Sequence, residues 1–271
     1  MIEPQDLSKL STLPAEFVDS VGNELQNASI PWKAAYSDYQ SGGWYVAQLR
    51  NSSGSTDQTR IDGGEPLDTP LLDQFPSLKR WINQSELDIR IVRLARIAPG
   101  AWMHEHNDNV GIGEDRLRLH IPIITNPNAV LCFAGVHARL ESGFLWKLNH
   151  EKVSHAAANF GETDRTHLIL DCRLNEALDK LLKQETLPPH CLKNLPLLDP
   201  RSQDALISKA KELIKEGNMA DGEALLLKTF CQYDLQGQSS YELLVVAYQD
   251  SPGFEVRLKE WKERLNEVSS D

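Results

Sequence analysis

No C-x-x-C pair occurs among the four cysteines, Cys132, Cys172, Cys191 and Cys231. A zinc ribbon or a thioredoxin-type redox site therefore has no support. Cys132 and Cys172 lie inside apolar, strand-like runs, where free thiols are ordinarily buried and reduced. No apolar run approaches the roughly 20 residues of a membrane span. The opening MIEPQDLSKLSTLP has no basic segment leading into an apolar stretch, so a secretory signal is not expected either. Basic residues are in deficit, with Lys+Arg 28 against Asp+Glu 39 and a net charge of −11. Such a chain repels phosphate backbones and anionic membranes on average, so neither is the expected partner. Together these absences suggest a soluble protein of the reducing cytoplasm.

What is present suits one large domain, or one domain with a substantial extension: 271 residues, 41% hydrophobic and 25% charged. Residues 1–30 carry helical spacing at Leu13, Phe17, Val18 and Val21. A strand-like run, 44–50, follows Gly42-Gly43, and 51–57 is a polar loop by composition. A short helix is expected within 71–81. From Asp88 the pattern becomes short β-like runs, at 89–97, 116–124, 129–133, 143–148, 153–158 and 166–172. Turn signals separate them, at Pro99-Gly100, Thr125-Asn126-Pro127-Asn128 and 159–164. That pattern predicts an antiparallel barrel or sandwich. After Arg173 helix formers dominate, with helices expected at 175–182, 203–216, 221–233, 240–248 and 254–268, and a stop at Leu187-Pro188-Pro189-His190. The expected division is 1–175 for the β domain with its N-terminal flanking segments, and 176–271 for a C-terminal helical region.

The densest polar cluster is Trp102-Met103-His104-Glu105-His106-Asn107-Asp108. On an extended chain residues i and i+2 share a face, so His106 and Asp108 can offer an imidazole and a carboxylate to one ion. A second imidazole from a distant strand would complete a facial triad, which leaves adjacent coordination positions open. His155 is the candidate, because it precedes the turn 159–164 and Arg165. Arg165, ten residues on, can grip a carboxylate with two parallel hydrogen bonds.

Several stretches, in this order, resemble the aspartyl/asparaginyl β-hydroxylase family. They are Pro99-Gly100 through His106-Asn107-Asp108, Arg116-Leu117-Arg118-Leu119-His120-Ile121-Pro122, Thr125-Asn126-Pro127, Ser154-His155-Ala156-Ala157-Ala158-Asn159, and Asp164-Arg165-Thr166-His167-Leu168-Ile169-Leu170-Asp171. The resemblance spans about residues 40–172. It implies a mainly β double-stranded β-helix, a jelly roll of cupin type, flanked by helices. It also implies hydroxylation of a carboxylate-bearing substrate, such as a free amino acid or an Asp/Asn-type side chain, using Fe(II), 2-oxoglutarate and O2. By the same likeness His106, Asp108 and His155 are the metal ligands. The presence of Asp108 matches the small-molecule branch, which includes bacterial free-proline hydroxylases. Arg165 and His120 would meet 2-oxoglutarate, and Arg118 the substrate.

Other readings stay open at this point. His104 with His106 is an alternative ligand pair, and His150 an alternative to His155. His150 itself reads as a loop residue. His167, among apolar residues, reads as a buried or ligand-supporting histidine. His137 and His190 read as surface residues. Trp102 and Trp146 suit either core or pocket. Arg93 or Arg96 is a candidate to point into the barrel toward a substrate carboxylate. The rival function is a metal- or ligand-binding β-barrel without oxygenase activity, its helical tail serving protein interaction.

Overall fold

The computed structural model describes residues 2–58, 64–108, 116–249 and 251–269. The chain enters through β1 (Leu7–Thr12) and helix α1 (Ala15–Asn27). It continues through β2 (Lys33–Ala34), β3 (Trp44–Asn51), β4 (Leu67–Asp68) and helix α2 (Pro76–Gln84). Then come β5 (Asp88–Ile97), β6 (Arg116–Ile124), β7 (Ala129–Phe133), β8 (Val136–Ala138), β9 (Phe144–Leu148), β10 (Ala156–Asn159) and β11 (Arg165–Arg173). Two sheets result: a large one in the order β1-β9-β6-β11-β5-β3-β2, with β4 beside β3, and a small one containing β10, β7 and β8. Every named strand pairing is antiparallel. Two facing sheets of this kind form a jelly roll, the expected architecture.

β11 is the central strand of the large sheet and is buried on both faces. Its even-spaced residues Leu168, Leu170 and Cys172 join Leu94, Leu119, Phe17, Val21 and Leu78 in an apolar layer that seats α1 and α2 on the outside. Its other face looks between the sheets, where Ile169 packs with Val46, Leu131, Phe133, Trp146 and Ala157. The alternation of side chains along a strand divides the two roles.

The connection after β5 turns at Gly100, whose φ of +76° lies in the left-handed region. Gly43 has φ +82°, and a Cβ there would stand 2.7 Å from the Ala101 Cβ. Glycine thus lets the start of β3 lie against the segment that leads to the His106 cluster. That segment is not a regular strand. It is tied to its neighbours by isolated bridges, Gln40 to Met103, Trp102 to Ala158, and His106 to His155.

The first residues depart from the helical reading. Leu7, Leu10 and Leu13 have a helix-like spacing, yet Leu7–Thr12 pairs along β9 as an edge strand. Past the expected boundary at 175, α3 (Glu176–Leu182) buries Leu178 in the outer apolar layer. β12 (Leu192–Asn194) then pairs with β8 and completes the small sheet. The remaining helices are α4 (Pro200–Lys215), α5 (Met219–Leu227), α6 (Ser240–Tyr248) and α7 (Glu255–Ser269). They share a separate core around Leu198, Ile214, Leu226, Leu244, Tyr248 and Trp261. No described helix is long and apolar enough to cross a membrane. All four cysteines are free and buried.

Candidate active site

The two histidines come together through the backbone. His106 N–H donates to the His155 carbonyl at 2.9 Å, and His155 N–H returns the bond at 3.0 Å. Such a pair of reciprocal bonds brings the side chains side by side, with ring centroids 4.5 Å apart. Nδ1 of His106 lies 2.7 Å from the His104 carbonyl, and Nδ1 of His155 lies 2.8 Å from the Val153 carbonyl. A carbonyl only accepts, so each Nδ1 carries a proton and each Nε2 is the ring nitrogen left to face a ligand. Asp108 is set by its own N–H, which donates to the His150 carbonyl at 2.9 Å. Its Oδ1 stands 3.7 Å from His106 Nε2. One ligand atom from each of His106, Asp108 and His155 falls within 4.8 Å of the others, close enough to share one cation.

Charge on this trio is fixed by its surroundings. Burial acts to raise the Asp108 carboxyl, but Arg118, His106 and His155 outweigh it and hold the group far below the usual carboxylate range. Burial, with His106 beside it, lowers His155 to about 3. The donor set at neutral pH is thus a carboxylate with a neutral imidazole from His155, the forms a divalent metal requires.

Arg118 is buried and its fork is engaged by two carboxylates of the chain. Nε meets Asp171 Oδ1 at 2.8 Å, Nη2 meets Asp171 Oδ2 at 3.2 Å, and Nη1 bonds Asp108 Oδ2. The expected substrate contact therefore has its donors occupied. Arg165 differs: it is 3% exposed, lines the same cavity, and has no carboxylate partner among the described residues. Burial alone pulls its guanidinium down to about 9. An uncompensated buried cation is costly, so its position favours an anion arriving from solution.

His120 also lines the cavity, with both ring nitrogens buried and unpartnered. Burial, then Arg165, Arg118 and Arg93, keep it far below its usual value and hence neutral. His167 packs edge-on against His120 at 6.0 Å, away from the cavity surface. Arg93 enters the cavity across the sheet from Ile169, and its Nε and Nη1 have no hydrogen-bond partner among the described residues. Arg96, of opposite parity, stacks on Trp32 and Tyr45 outside.

The remaining candidates separate by position. His104 is buried beside a second, larger cleft under α5 and α7, away from the trio's cavity. His150 sits in a turn as read, but is buried; its carbonyl serves Asp108 while its Nε2 stays unpartnered. His137 is not a plain surface residue, since its Nε2 lies 2.8 Å from the Cys231 carbonyl and ties the small sheet to the helical layer. His190 is 65% exposed. Trp146 belongs to the inter-sheet core, and Trp102 borders the second cleft.

The trio's cavity is about 360 Å³. Trp44, Met103, Leu131, Leu148, Ala157 and Ile169 form its apolar wall, and Tyr36, Tyr39, Tyr241, Glu267 and Val268 also line it. The sequence reading missed Asp171, Glu105 and this contribution of the helical layer. Asp171 had a signal, since it stands an even number of residues from Arg165 and so shares its face. Tyr241 and Glu267 had none, because their approach to the barrel depends on tertiary packing.

Two histidines and an aspartate converging in one cavity match the facial triad of non-haem iron(II) oxygenases. A sequence profile of the aspartyl/asparaginyl β-hydroxylase family matches residues 10–174. The chain belongs to that family and is an iron(II)- and 2-oxoglutarate-dependent dioxygenase. It is 26% identical over 223 residues to L-proline cis-4-hydroxylase of Rhizobium meliloti (strain 1021), covering 79% of this chain and 78% of that protein. Among solved structures, it is similar to a Pseudomonas putida prolyl-4-hydroxylase, with TM-score 0.40, 20% identity, and coverage of 60% of this chain and 89% of that one. HygX of Streptomyces hygroscopicus, crystallised with nickel and 2-oxoglutarate, gives TM-score 0.39 and 11% identity over 60% of this chain and 80% of its own.

Proposed function

We propose that this chain hydroxylates a small free amino acid, with L-proline the first candidate, and that its substrate is held by its carboxylate. The observation that carries the reading is Arg165, a buried guanidinium with no counter-ion among the described residues, in the cavity of His106, Asp108 and His155. These residues fit iron(II) and 2-oxoglutarate: both imidazoles present Nε2, the carboxylate is ionised, and Arg165 awaits an anion. Bound there, iron and 2-oxoglutarate supply the oxidation that converts O2, 2-oxoglutarate and a C–H bond into hydroxylated product, succinate and CO2.

The chain's own groups bind, orient and exclude water. His106, Asp108 and His155 hold the metal. Arg118, anchored by Asp171, keeps Asp108 ionised and turned toward it. Arg165 pairs with the remote carboxylate of 2-oxoglutarate, and neutral His120 donates a hydrogen bond beside it. Arg93, the other guanidinium there with open donors, takes the substrate carboxylate. Space supports a small substrate. A cavity of 360 Å³ equals roughly a dozen waters, enough for 2-oxoglutarate and one amino acid, and Tyr241, Glu267 and Val268 of the helical layer line it too. The relative in Rhizobium meliloti, named for a free imino acid, supports the same class. Four reduced, buried cysteines suit a cytoplasmic enzyme.

The test is Arg165→Ala and Arg165→Lys. Truncating one partner of a buried charged pair costs about 2–5 kcal/mol, or roughly 30- to several-thousand-fold in affinity. 2-Oxoglutarate affinity should fall by that amount while metal affinity stays within about twofold. Lysine should also be impaired, since an ammonium cannot reproduce the fork. Unchanged 2-oxoglutarate affinity in both variants would remove Arg165 from the site. Succinate release screened over free amino acids and a peptide series decides the substrate class.

A further inference from the structure

Glu105 precedes His106 in the chain and is 4% exposed, yet no cation among the described residues pairs with it. Four neutral donors meet its carboxyl group instead. Oε2 accepts from Ser239 Oγ at 2.7 Å, from the Ser240 N–H at 3.0 Å and from Ser240 Oγ at 3.1 Å. Oε1 accepts from Ser154 Oγ at 3.2 Å. The Glu105 carbonyl accepts from the Tyr241 hydroxyl at 2.7 Å. Ser239 is the N-cap of α6, and Ser240 and Tyr241 are its first residues. Unpaired N–H groups and the helix dipole favour an anion at that end.

Ser154 precedes His155. One side chain is therefore bonded to the segment of the second imidazole and to the helical layer, while its backbone leads directly into the first imidazole. Tyr241 of that same layer also lines the cavity. A tail that only recruits partners needs no buried carboxylate bonded at once to the segment of a metal-ligand candidate and to its own helix N-terminus.

We propose that Glu105 is a positioning residue of the metal centre, fixing His106 against His155 and making the C-terminal helical layer a structural part of that centre. The inference rests on the metal reading above. Groups that orient metal ligands typically change metal affinity about 10- to 100-fold when replaced.

Cobalt(II) titrated into chelator-treated protein tests it, by calorimetry and visible absorption, at a temperature where circular dichroism shows each variant folded. Glu105→Gln, which sets an amide NH2 among the donors, should raise the cobalt Kd about 10- to 100-fold. The double variant Ser239→Ala/Ser240→Ala, remote in sequence from every ligand, should raise it about fivefold or more, the equivalent of one lost buried hydrogen bond. A residue with a merely structural role would lower the melting temperature and leave Kd unchanged. A folded Glu105→Gln with Kd within twofold of wild type overturns the proposal. Should that variant not fold, a folded double variant or Tyr241→Phe within twofold overturns it. Wild-type protein that takes up no cobalt removes the metal reading, and this inference with it.

Discussion

Acidification of the metal-free protein should destabilise it well above the carboxylate range, because several buried histidines are held neutral. Burial, with neighbouring charges, lowers His104 and His150 to about 4 and His155 to about 3. An unfolded histidine titrates near 6.5. Below that value the unfolded chain binds protons that the folded chain refuses, so stability is full above about pH 6.5 and falls as the pH drops. At pH 5.5 each of the three contributes a loss of about 1.4 kcal/mol, fixed by the unfolded value once the folded one lies below about 4.5. Together they remove about 4 kcal/mol from a domain stability of order 5–15 kcal/mol. His120 and His167, also lowered chiefly by burial, act in the same direction. Glu105, raised by burial, opposes with a single carboxyl. Asp108 and Asp171, whose values Arg118 depresses against the effect of burial, lose their contribution only below the carboxylate range. Equilibrium urea unfolding at pH 7.5, 6.5 and 5.5 in the presence of a chelator measures the effect. A decrease of less than about 1 kcal/mol, within extrapolation error, would show that these rings are not held neutral in the folded protein.

Asp171→Asn should destabilise the protein by about 3–5 kcal/mol, since it leaves buried Arg118 with half its compensation; urea midpoints at pH 7.5 check this, and a change under 1 kcal/mol refutes it. Arg93→Gln should raise the substrate KM at least tenfold and leave 2-oxoglutarate affinity within about twofold, a split that steady-state kinetics resolves; equal effects on both would place Arg93 with the co-substrate instead.

Most strands of the barrel were legible as apolar runs between Asp88 and Cys172, with turn signals after the first, second and fifth of them. The observed bounds of β5, β6, β7, β9 and β11 fall within a residue or so of the sequence reading. β8 and β12 were not legible. Each is three residues long and held only by pairing across the small sheet, which no local pattern records. The helical layer was legible as helices, but its contact with the cavity was not. Periodicity states which face of α7 is apolar. It does not state that Tyr241 will meet the Glu105 carbonyl, a contact spanning 136 residues. The His-x-Asp pattern was legible for a partly mistaken reason. Its same-face argument assumes a strand, whereas residues 102–108 are an irregular segment held by bridges to β10, to His155 and to the chain near Gln40. The bridge between His106 and His155 does more to bring the trio together than the pleat does.

The limit of sequence reading is clearest on β11. Its residues are buried on both faces, so the alternation of polar and apolar types does not mark water against core. It marks the space between the sheets against the helices. Arg165, His167 and Asp171 belong to the row that faces inward with Ile169, while Leu168, Leu170 and Cys172 face α1 and α2. A slip of one residue in register would turn Arg165 toward the apolar outer layer and drive leucines into the cavity. Pairing along both edges, nine residues to β5 and eight to β6, opposes that slip. The site's two charged anchors, Arg165 at one end and the Asp171–Arg118 pair at the other, thus sit on the strand least able to move. That rigidity suits the role proposed for Arg165, a guanidinium that meets an incoming carboxylate, while Arg118 holds Asp108 ionised.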